Sequence, residues 1–411
     1  MRTVDEHLRE ILAAVRPLDP TRLRLPQANG LVCCEDVVSL VDLPGFDNSA
    51  MDGYAVRAAD VAEATPESPV RLVVVDDIPA GSPPTGAVER GRTARIMTGS
   101  MLPPGADAVV PVEDTDAGTD VVLIRRPARP GAHIRRQGED VPVGGPVLAA
   151  GHVLDARRIG ALAAAGHADA LVRRRARVAV VSTGAELVEP GRPLGPGQIY
   201  DSNSYLLAGA VARAGATAAY RSCVGDDSHT VRSLLDRLVE QVDVVVTSGG
   251  VSMGAYDVVK QVLSGPEGVA FHQVAMQPGK PQGFGLLGQR GVPVFTLPGN
   301  PVSAYVSFEV FVRPALRSMM GLTPAVRPTV RARLSGPLRS PAGRRQYARA
   351  SARHVDGGWQ VAPATGQGSH FVAALSQADA LVVVPEATTA LEIGDEADVL
   401  LLDVPGGRMV P

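Results

Sequence analysis

The stretch VDVVVTSGGVSMGAYDVVKQV, residues 242–262, decides how the chain is built. Residues 242–246 form a short β-branched apolar run, as expected of a strand buried on both faces, and the run stops at Thr247, Ser248 and two glycines. After Gly254 the spacing of Val258, Val259, Val262 and Leu263 fits one face of a helix, which predicts strand, glycine-rich loop, helix. The N–H groups of such a loop, at the positive end of a helix, favour an anion. Asp257 stands in the same place. A carboxylate beside an anion is repulsive unless a cation lies between them, so the stretch points to an anionic ligand held partly through a divalent metal. Taken alone, Asp257 is more simply a helix cap.

The same pattern recurs on either side. Residues 178–181 form an apolar run ending at Ser182, Thr183, Gly184, Ala185 and Glu186; a strand within 216–224 ends at Gly225, Asp226 and Asp227; residues 292–297 end at Pro298, Gly299, Asn300 and Pro301. Helical patterns over 202–214, over 229–240 and from Pro301 to about Leu316 alternate with these runs. This predicts a doubly wound, mostly parallel α/β module with helices on both faces. Ligands of such sheets bind beyond the carboxyl ends of the strands, where STGAE, GDD, TSGG and LPGNP would converge. Glu186, Asp226, Asp227 and Asp257 could each be a cap or a solvated loop residue, but four strand ends of the same chemistry point to a joint phosphate and metal site. A Walker-type loop is absent.

Of the 40 basic residues only Lys260 and Lys280 are lysines. A lysine kept in so arginine-rich a chain suggests a need for a compact point charge. Lys280 lies in QPGKPQGFG, read as a rigid Pro-Gly loop suited to holding an ammonium beside an anion. Lys260 is more simply an i,i+3 partner of Asp257.

Toward the N-terminus, Thr3 and Glu6 form a capping-box pattern, and Val4, Leu8, Ile11, Leu12 and Val15 mark an amphipathic helix closed by Pro17 and Pro20. Residues 43–56, LPGFDNSAMDGYAV, are rich in turn formers; Asp47 reads as a turn residue and Asp52 stays open between turn and site. Short apolar runs at 72–75, 94–97, 108–112 and 121–124 predict a small β domain. Its loop 98–107 could present Thr98 to a ligand, although a surface turn is the simpler reading. RRQGED, residues 135–140, reads as a solvated loop. Asp155 is placed to cap a helix ending at Gly166, and residues 173–177 read as a polar linker.

Composition sets the outer bounds. A chain of 411 residues, 45% hydrophobic and 20% charged, holds two to four globular domains. A net charge of −3 provides no general attraction to nucleic acid or anionic membrane. Cys33, Cys34 and Cys223 offer neither a disulfide framework nor metal spacing and read as small buried hydrophobes of a reducing compartment. The acidic N-terminus and the lack of a long apolar run lead to the expectation of a cytoplasmic protein.

FDNSAMDGYAV, RIMTGSMLPPGADAVVPVED, RRQGED, STGAEL, GQIYDSN, VGDD, TSGGVSMGAYD, VAMQPGKPQGFG and LPGNPVSA follow one another in an order that resembles the molybdopterin molybdenumtransferase family, which includes bacterial MoeA and the E domain of gephyrin. The resemblance covers essentially the whole chain. It implies a multidomain α/β plus β fold: an elongated helical part from residues 1–44 with 140–172, a β-rich domain at 45–139, the α/β module at 173–321 and a C-terminal β-barrel at 322–411. It further implies a homodimer whose cleft lies between the α/β module of one subunit and the β domain of the other.

The implied reaction joins molybdate to adenylylated molybdopterin and releases AMP, assisted by a divalent cation such as Mg²⁺. By motif match, Asp52, Thr98, Asp140, Glu186, Asp226 and Asp257 resemble the polar residues around nucleotide, metal and pterin. Of these, Asp52, Glu186, Asp226 and Asp257, with Lys280, are the expected catalytic set, and Glu186, Asp226 and Asp257 the metal set. Ser182, Thr183, Ser248, Gly249, Gly250, Ser252, Pro298, Asn300, Pro301 and Ser303 are the expected substrate-binding loop residues. Lys280, Pro281, Arg349 in RRQYARA and Ser369 in GQGSH resemble a molybdate pocket, and an oxo-dianion does need fixed cations and hydroxyl donors. As isolated residues Arg349 and Ser369 would be placed on a surface. Gln277 stands where many members have a lysine, and Gln273 near another such position, which leaves Lys280 as the main ammonium. An adenylyltransferase upstream and molybdoenzymes downstream are the partners implied, with no nucleic acid or membrane. A molybdopterin adenylyltransferase and a non-catalytic scaffold are the alternative readings.

Overall fold

The computed structural model describes residues 1–250, 258–264 and 268–402. Two compact units are present, one formed by residues 1–21 with 173–411 and the other by residues 22–172.

The first unit is organised around a six-stranded sheet. Strands β1 (Arg177–Thr183), β2 (Thr217–Val224), β3 (Val244–Ser248), β4 (Ala270–Gln273), β5 (Pro281–Leu287) and β6 (Val292–Leu297) lie in the order β2-β1-β3-β6-β5-β4. The first four in that order are parallel, and β5 and β4 add an antiparallel edge. Thus the segment read as a Pro-Gly loop is partly a strand. Its glycines hide this, because they are there to admit neighbours: a Cβ on Gly283 would lie 1.8 Å from the Thr296 hydroxyl oxygen.

Helices cover both faces. Asn203–Arg213 sits between β1 and β2, and Ser228–Gln241 follows β2 with Val231, Leu234, Leu235, Leu238 and Val239 buried at helical spacing. Asp227 accepts from the Thr230 amide at 2.7 Å, so this carboxylate is a cap. The helix after β6 runs Pro301–Ser307, passes through a π turn at Phe308–Val312 and resumes at Arg313–Met319. The N-terminal helix, Val4–Ala14, has the expected capping box and packs Val4 and Ile11 into the core of this module. The first twenty-one residues of the segment expected in the elongated part therefore belong to this unit. The linker residue Arg174 is fastened rather than loose, donating through both Nη atoms to the buried Asp243 carboxylate at 2.6 and 2.8 Å.

A closed five-stranded barrel follows. Thr329–Leu334, Gly358–Pro363, Arg345–Val355, Ala380–Val384 and Glu396–Leu401 pair in that order, and the last pairs with the first. Its interior is filled by alanines such as Ala348 and Ala350 interleaved with valines and leucines such as Leu334, Val382 and Val399. The two-residue strand Met276–Gln277, between β4 and β5, pairs in parallel with Arg345 and Gln346 of the barrel.

The second unit holds a five-stranded half-barrel, ordered Ala108–Pro111, Gly53–Val56, Arg92–Ile96, Val70–Ile78, Val121–Ile124. Tyr54, Val56, Leu72, Val110, Val122 and Ile124 fill one side of it. The elongated part contributes short strands and the helix Ala156–Ala164, which Asp155 caps by accepting from the Arg158 amide at 3.0 Å. Cys33 is buried as expected, while Cys34 and Cys223 are half-buried; the expectation of three buried thiols holds for one.

Candidate active site

The carboxyl ends of the four parallel strands are level. Thr183 pairs with Val224, Ser182 with Ser248, and Ser248 with Leu297, so the loops that follow rise from one edge. They enclose a cavity of about 690 Å³ whose lining includes Thr183, Glu186, Asp226, Ser248, Gly249, Gly250, Pro281, Pro298, Asn300, Pro301 and Ser303. The Ser182 and Ser248 hydroxyls face one another at 3.1 Å beneath its floor. Asp226 accepts from the Ala185 amide at 3.0 Å, which ties the loop carrying Glu186 to the neighbouring strand end.

Glycine is required at two positions on the floor. Gly249 has φ +92° and a Cβ there would lie 2.5 Å from the Thr183 carbonyl oxygen; Gly250 has φ +66° and a Cβ would lie 2.7 Å from Val259. The turn after β6 is tied to the helix Asn203–Arg213, with Asn203 donating to the Gly299 carbonyl at 2.7 Å.

The barrel contributes one wall through the loop 366–371. Arg349, fully buried, donates to the carbonyls of Phe371 at 2.8 Å, Gly366 at 2.9 Å and Gly368 at 3.1 Å. A surface position for Arg349 is thereby corrected: a guanidinium with five donors can satisfy several carbonyls of one turn, and that is what takes it inside. Ser369 is joined to the cavity by the Asn300 amide, and its carbonyl accepts from the Val302 amide at 3.1 Å. Next to it, His370 lines the cavity.

A flap formed by residues 187–200 supplies a further part of the lining. Its ends, Leu187–Val188 and Ile199–Tyr200, pair in parallel, and Leu187, Ile199 and Tyr200 line the cavity. Asp201 follows, buried at 1% exposure, with its carboxylate accepting from the Ser204 amide at 3.0 Å and from the Ser204 hydroxyl.

In the unit of residues 22–172, Asp52 accepts from both the amide and the hydroxyl of Thr98 at 2.7 Å. These two bonds, the amide first, hold the Asp52 carboxyl below its ordinary range, so it stays ionised at neutral pH. Asp140 is exposed, its amide donating to the Leu43 carbonyl at 3.0 Å. Asp47 has the structural role read for it, accepting from Arg136 at 2.6 Å and the Gln137 amide at 2.8 Å.

Three family models cover the chain in order: the MoeA N-terminal region (domain I and II) at residues 2–166, a probable molybdopterin binding domain at 179–318 and the MoeA C-terminal region (domain IV) at 331–402. Molybdopterin molybdenumtransferase 2 of Mycobacterium tuberculosis is 48% identical over 405 residues, covering 97% of this chain and 99% of its own. The chain belongs to the molybdopterin molybdenumtransferase family. Molybdopterin molybdenumtransferase 1 of the same organism is 39% identical over 98% of the chain and 99% of its own. The fold agrees: a crystal structure of a molybdopterin biosynthesis moea protein from Pyrococcus horikosii superposes with a TM-score of 0.79 at 33% identity, covering 98% of this chain and 99% of the other.

In this molybdenumtransferase-family chain the structure brings Glu186, Asp226, Ser248, the two floor glycines, Asn300, Pro301 and Ser303 onto one cavity. Lys280 directly precedes the lining residue Pro281, and its carbonyl accepts from the Val274 amide at 2.8 Å. Ser252 and Asp257 lie outside the described residues. Glu186 and Asp226 are hard oxygen donors on adjacent strand ends, suited to a divalent cation, although no group of three or more candidate metal ligands occurs among the described residues. Asp201, Tyr200, Asn203 and His370 also line the cavity and were not singled out from the sequence. The first three stand in GQIYDSN, whose small polar residues look like turn formers; His370 had no signal beyond its neighbour Ser369.

Proposed function

We propose that this chain is a molybdenum insertase: it joins molybdate to adenylylated molybdopterin and releases AMP. The observation that carries the reading is the meeting, on one cavity, of four strand ends suited to phosphate with a loop that adds His370 to the lining and bonds to it through Ser369 and Asn300. The strand-end amides and hydroxyls bind the phosphate-bearing portion, and the Lys280 ammonium offsets the charge of the oxo-dianion. Glu186 and Asp226, with Asp257, would hold a divalent cation such as Mg²⁺, which supplies positive charge to phosphate oxygens when bound. Arg349 serves by fixing the loop that presents Ser369.

The ionised Asp52, with Thr98 and Asp140, is assigned to the same reaction through the homodimer that the family resemblance implies. Val38, Leu40, Val41 and Val143, all exposed apolar residues of the unit 22–172, are consistent with a surface that a second copy covers. Among the described residues no helix is long and apolar enough to cross a membrane, which fits a cytoplasmic site of action.

The test is a single assay. Purified protein is incubated with adenylylated molybdopterin, Mg²⁺ and molybdate, and AMP is followed. Molybdate-dependent AMP release supports the insertase; formation of adenylylated product only from ATP and molybdopterin would make it an adenylyltransferase, and no turnover of either kind a scaffold. Asp226→Ala is expected to abolish Mg²⁺-dependent release in a folded protein, and sedimentation of the wild type should show a dimer.

A further inference from the structure

The flap 187–200 presents apolar side chains to the cavity but has little core of its own. Leu194, Ile199 and Tyr200 are exposed, and its pairing is a two-residue ladder. Its position depends on polar bonds. Glu189, on the outgoing limb, accepts from Arg221 Nη2 at 2.9 Å and from the Tyr205 hydroxyl through the same oxygen. The Arg221 guanidinium lies over the Tyr205 ring, 3.9 Å from its centroid. Its other arm, Nη1, donates to Ser204 Oγ at 2.9 Å, and Ser204 in turn donates to the buried Asp201 at the end of the returning limb. The Asp201 amide closes the circuit by donating to the Val188 carbonyl at 2.9 Å.

Arg221 therefore grips both limbs from β2, an ordered strand of the central sheet. We propose that Arg221 is the positioning residue for the apolar wall of the cavity. Through Glu189 and Ser204–Asp201 it keeps Ile199 and Tyr200 where a flat heteroaromatic ring of the substrate packs. The assignment of that ring to a pterin rests on the function proposed above; the grip on the flap does not. A two-armed guanidinium suits the task because one planar group can donate to two segments at once while its face lies on Tyr205.

The test uses the full-length protein. Arg221→Met keeps the length of the side chain and removes the donors; Arg221→Lys keeps the charge. Hydrogen exchange is expected to quicken by about tenfold at amides 187–200 in Arg221→Met, with β1 and β3 unchanged, and KM for adenylylated molybdopterin should rise by about tenfold with a smaller change in kcat. Half-saturation by molybdate should stay put. Arg221→Lys should recover part of both effects, and Glu189→Gln added to Arg221→Met should bring no further loss. Unchanged exchange in the flap overturns the proposal, as does faster exchange with an unchanged KM. Should the wild type itself fail to release AMP, the proposed function falls, while the exchange comparison still decides whether Arg221 holds the wall.

Discussion

The Asn300 side-chain amide donates to the Ser369 hydroxyl at 2.8 Å, joining the turn after β6 to a loop that leaves the C-terminal barrel. Two distant segments share the bond, and both border the cavity. Removing it with Asn300→Ala frees the Ser369 hydroxyl from its orientation and should raise the molybdate concentration for half-maximal AMP release by roughly fivefold, for a loss of about 1 kcal/mol of bonding. A titration curve coinciding with the wild type would separate Ser369 from the oxyanion pocket.

Among the described residues, no hydrogen bond or ion pair engages the Lys280 ammonium. Its charge is available to a ligand. Lys280→Gln should therefore leave urea unfolding within about 0.5 kcal/mol of the wild type and yet weaken molybdate binding by roughly tenfold. Isothermal titration with molybdate, compared with sulfate as an isosteric dianion, measures it without turnover. Equal affinity in the two proteins would remove Lys280 from the site.

Arg349 answers to stability first. Arg349→Met leaves three carbonyls of the 366–371 loop without their donors and should cost about 2–4 kcal/mol in urea unfolding, together with a raised molybdate requirement. Arg349→Lys should recover little, because one ammonium on a flexible stem cannot span three carbonyls set for a planar fork. Full rescue by lysine would show that charge, and not the fork, is what the loop needs.

His7 sets an acid limit. Burial, with the nearby His272 and Arg2 adding to it, pushes its imidazole down to about 4 from 6.5, and its ring meets Phe311 edge-on at 4.8 Å. The unfolded chain binds the proton more readily than the folded one between these values. Stability is thus fully present above pH 6.5 and drains as pH falls toward 4, by about 3 kcal/mol at the end. His7→Phe should flatten that part of the stability profile measured by denaturant titration; a parallel loss in both proteins would assign the acid sensitivity to carboxylates.

The central strands were legible because burial on both faces writes itself as continuous valine, as in residues 244–246. The antiparallel edge was not. Gly283 and Gly285 in β5 make room for Thr296 and for the backbone at Gly268 and Val269, so the strand has the composition of a loop. Carboxylates after strands could be placed on one rim by rule, and Glu186 and Asp226 are there. Arg349 could not be placed, since its partners are backbone carbonyls 17 to 22 positions away and a carbonyl has no sequence signature. Asp201 was hidden for a related reason: a buried carboxylate that accepts from the first turn of a helix, here the Ser204 amide, is spelled like any other turn.

The small pairing of Met276–Gln277 with Arg345 and Gln346 has a consequence for how far the protein can be dissected. Four positions after Met276 the chain reaches Lys280, and one more takes it into the central sheet, so this lysine is slung between two anchorages that belong to different domains. Deleting the barrel would cut one mooring of Lys280 and carry off Ser369 as well. A shortened protein ending near Met320 would keep Glu186 and Asp226 while losing His370, Val372 and the Ser369 hydroxyl, so the C-terminal domain is better regarded as a wall of the cavity than as an accessory to it.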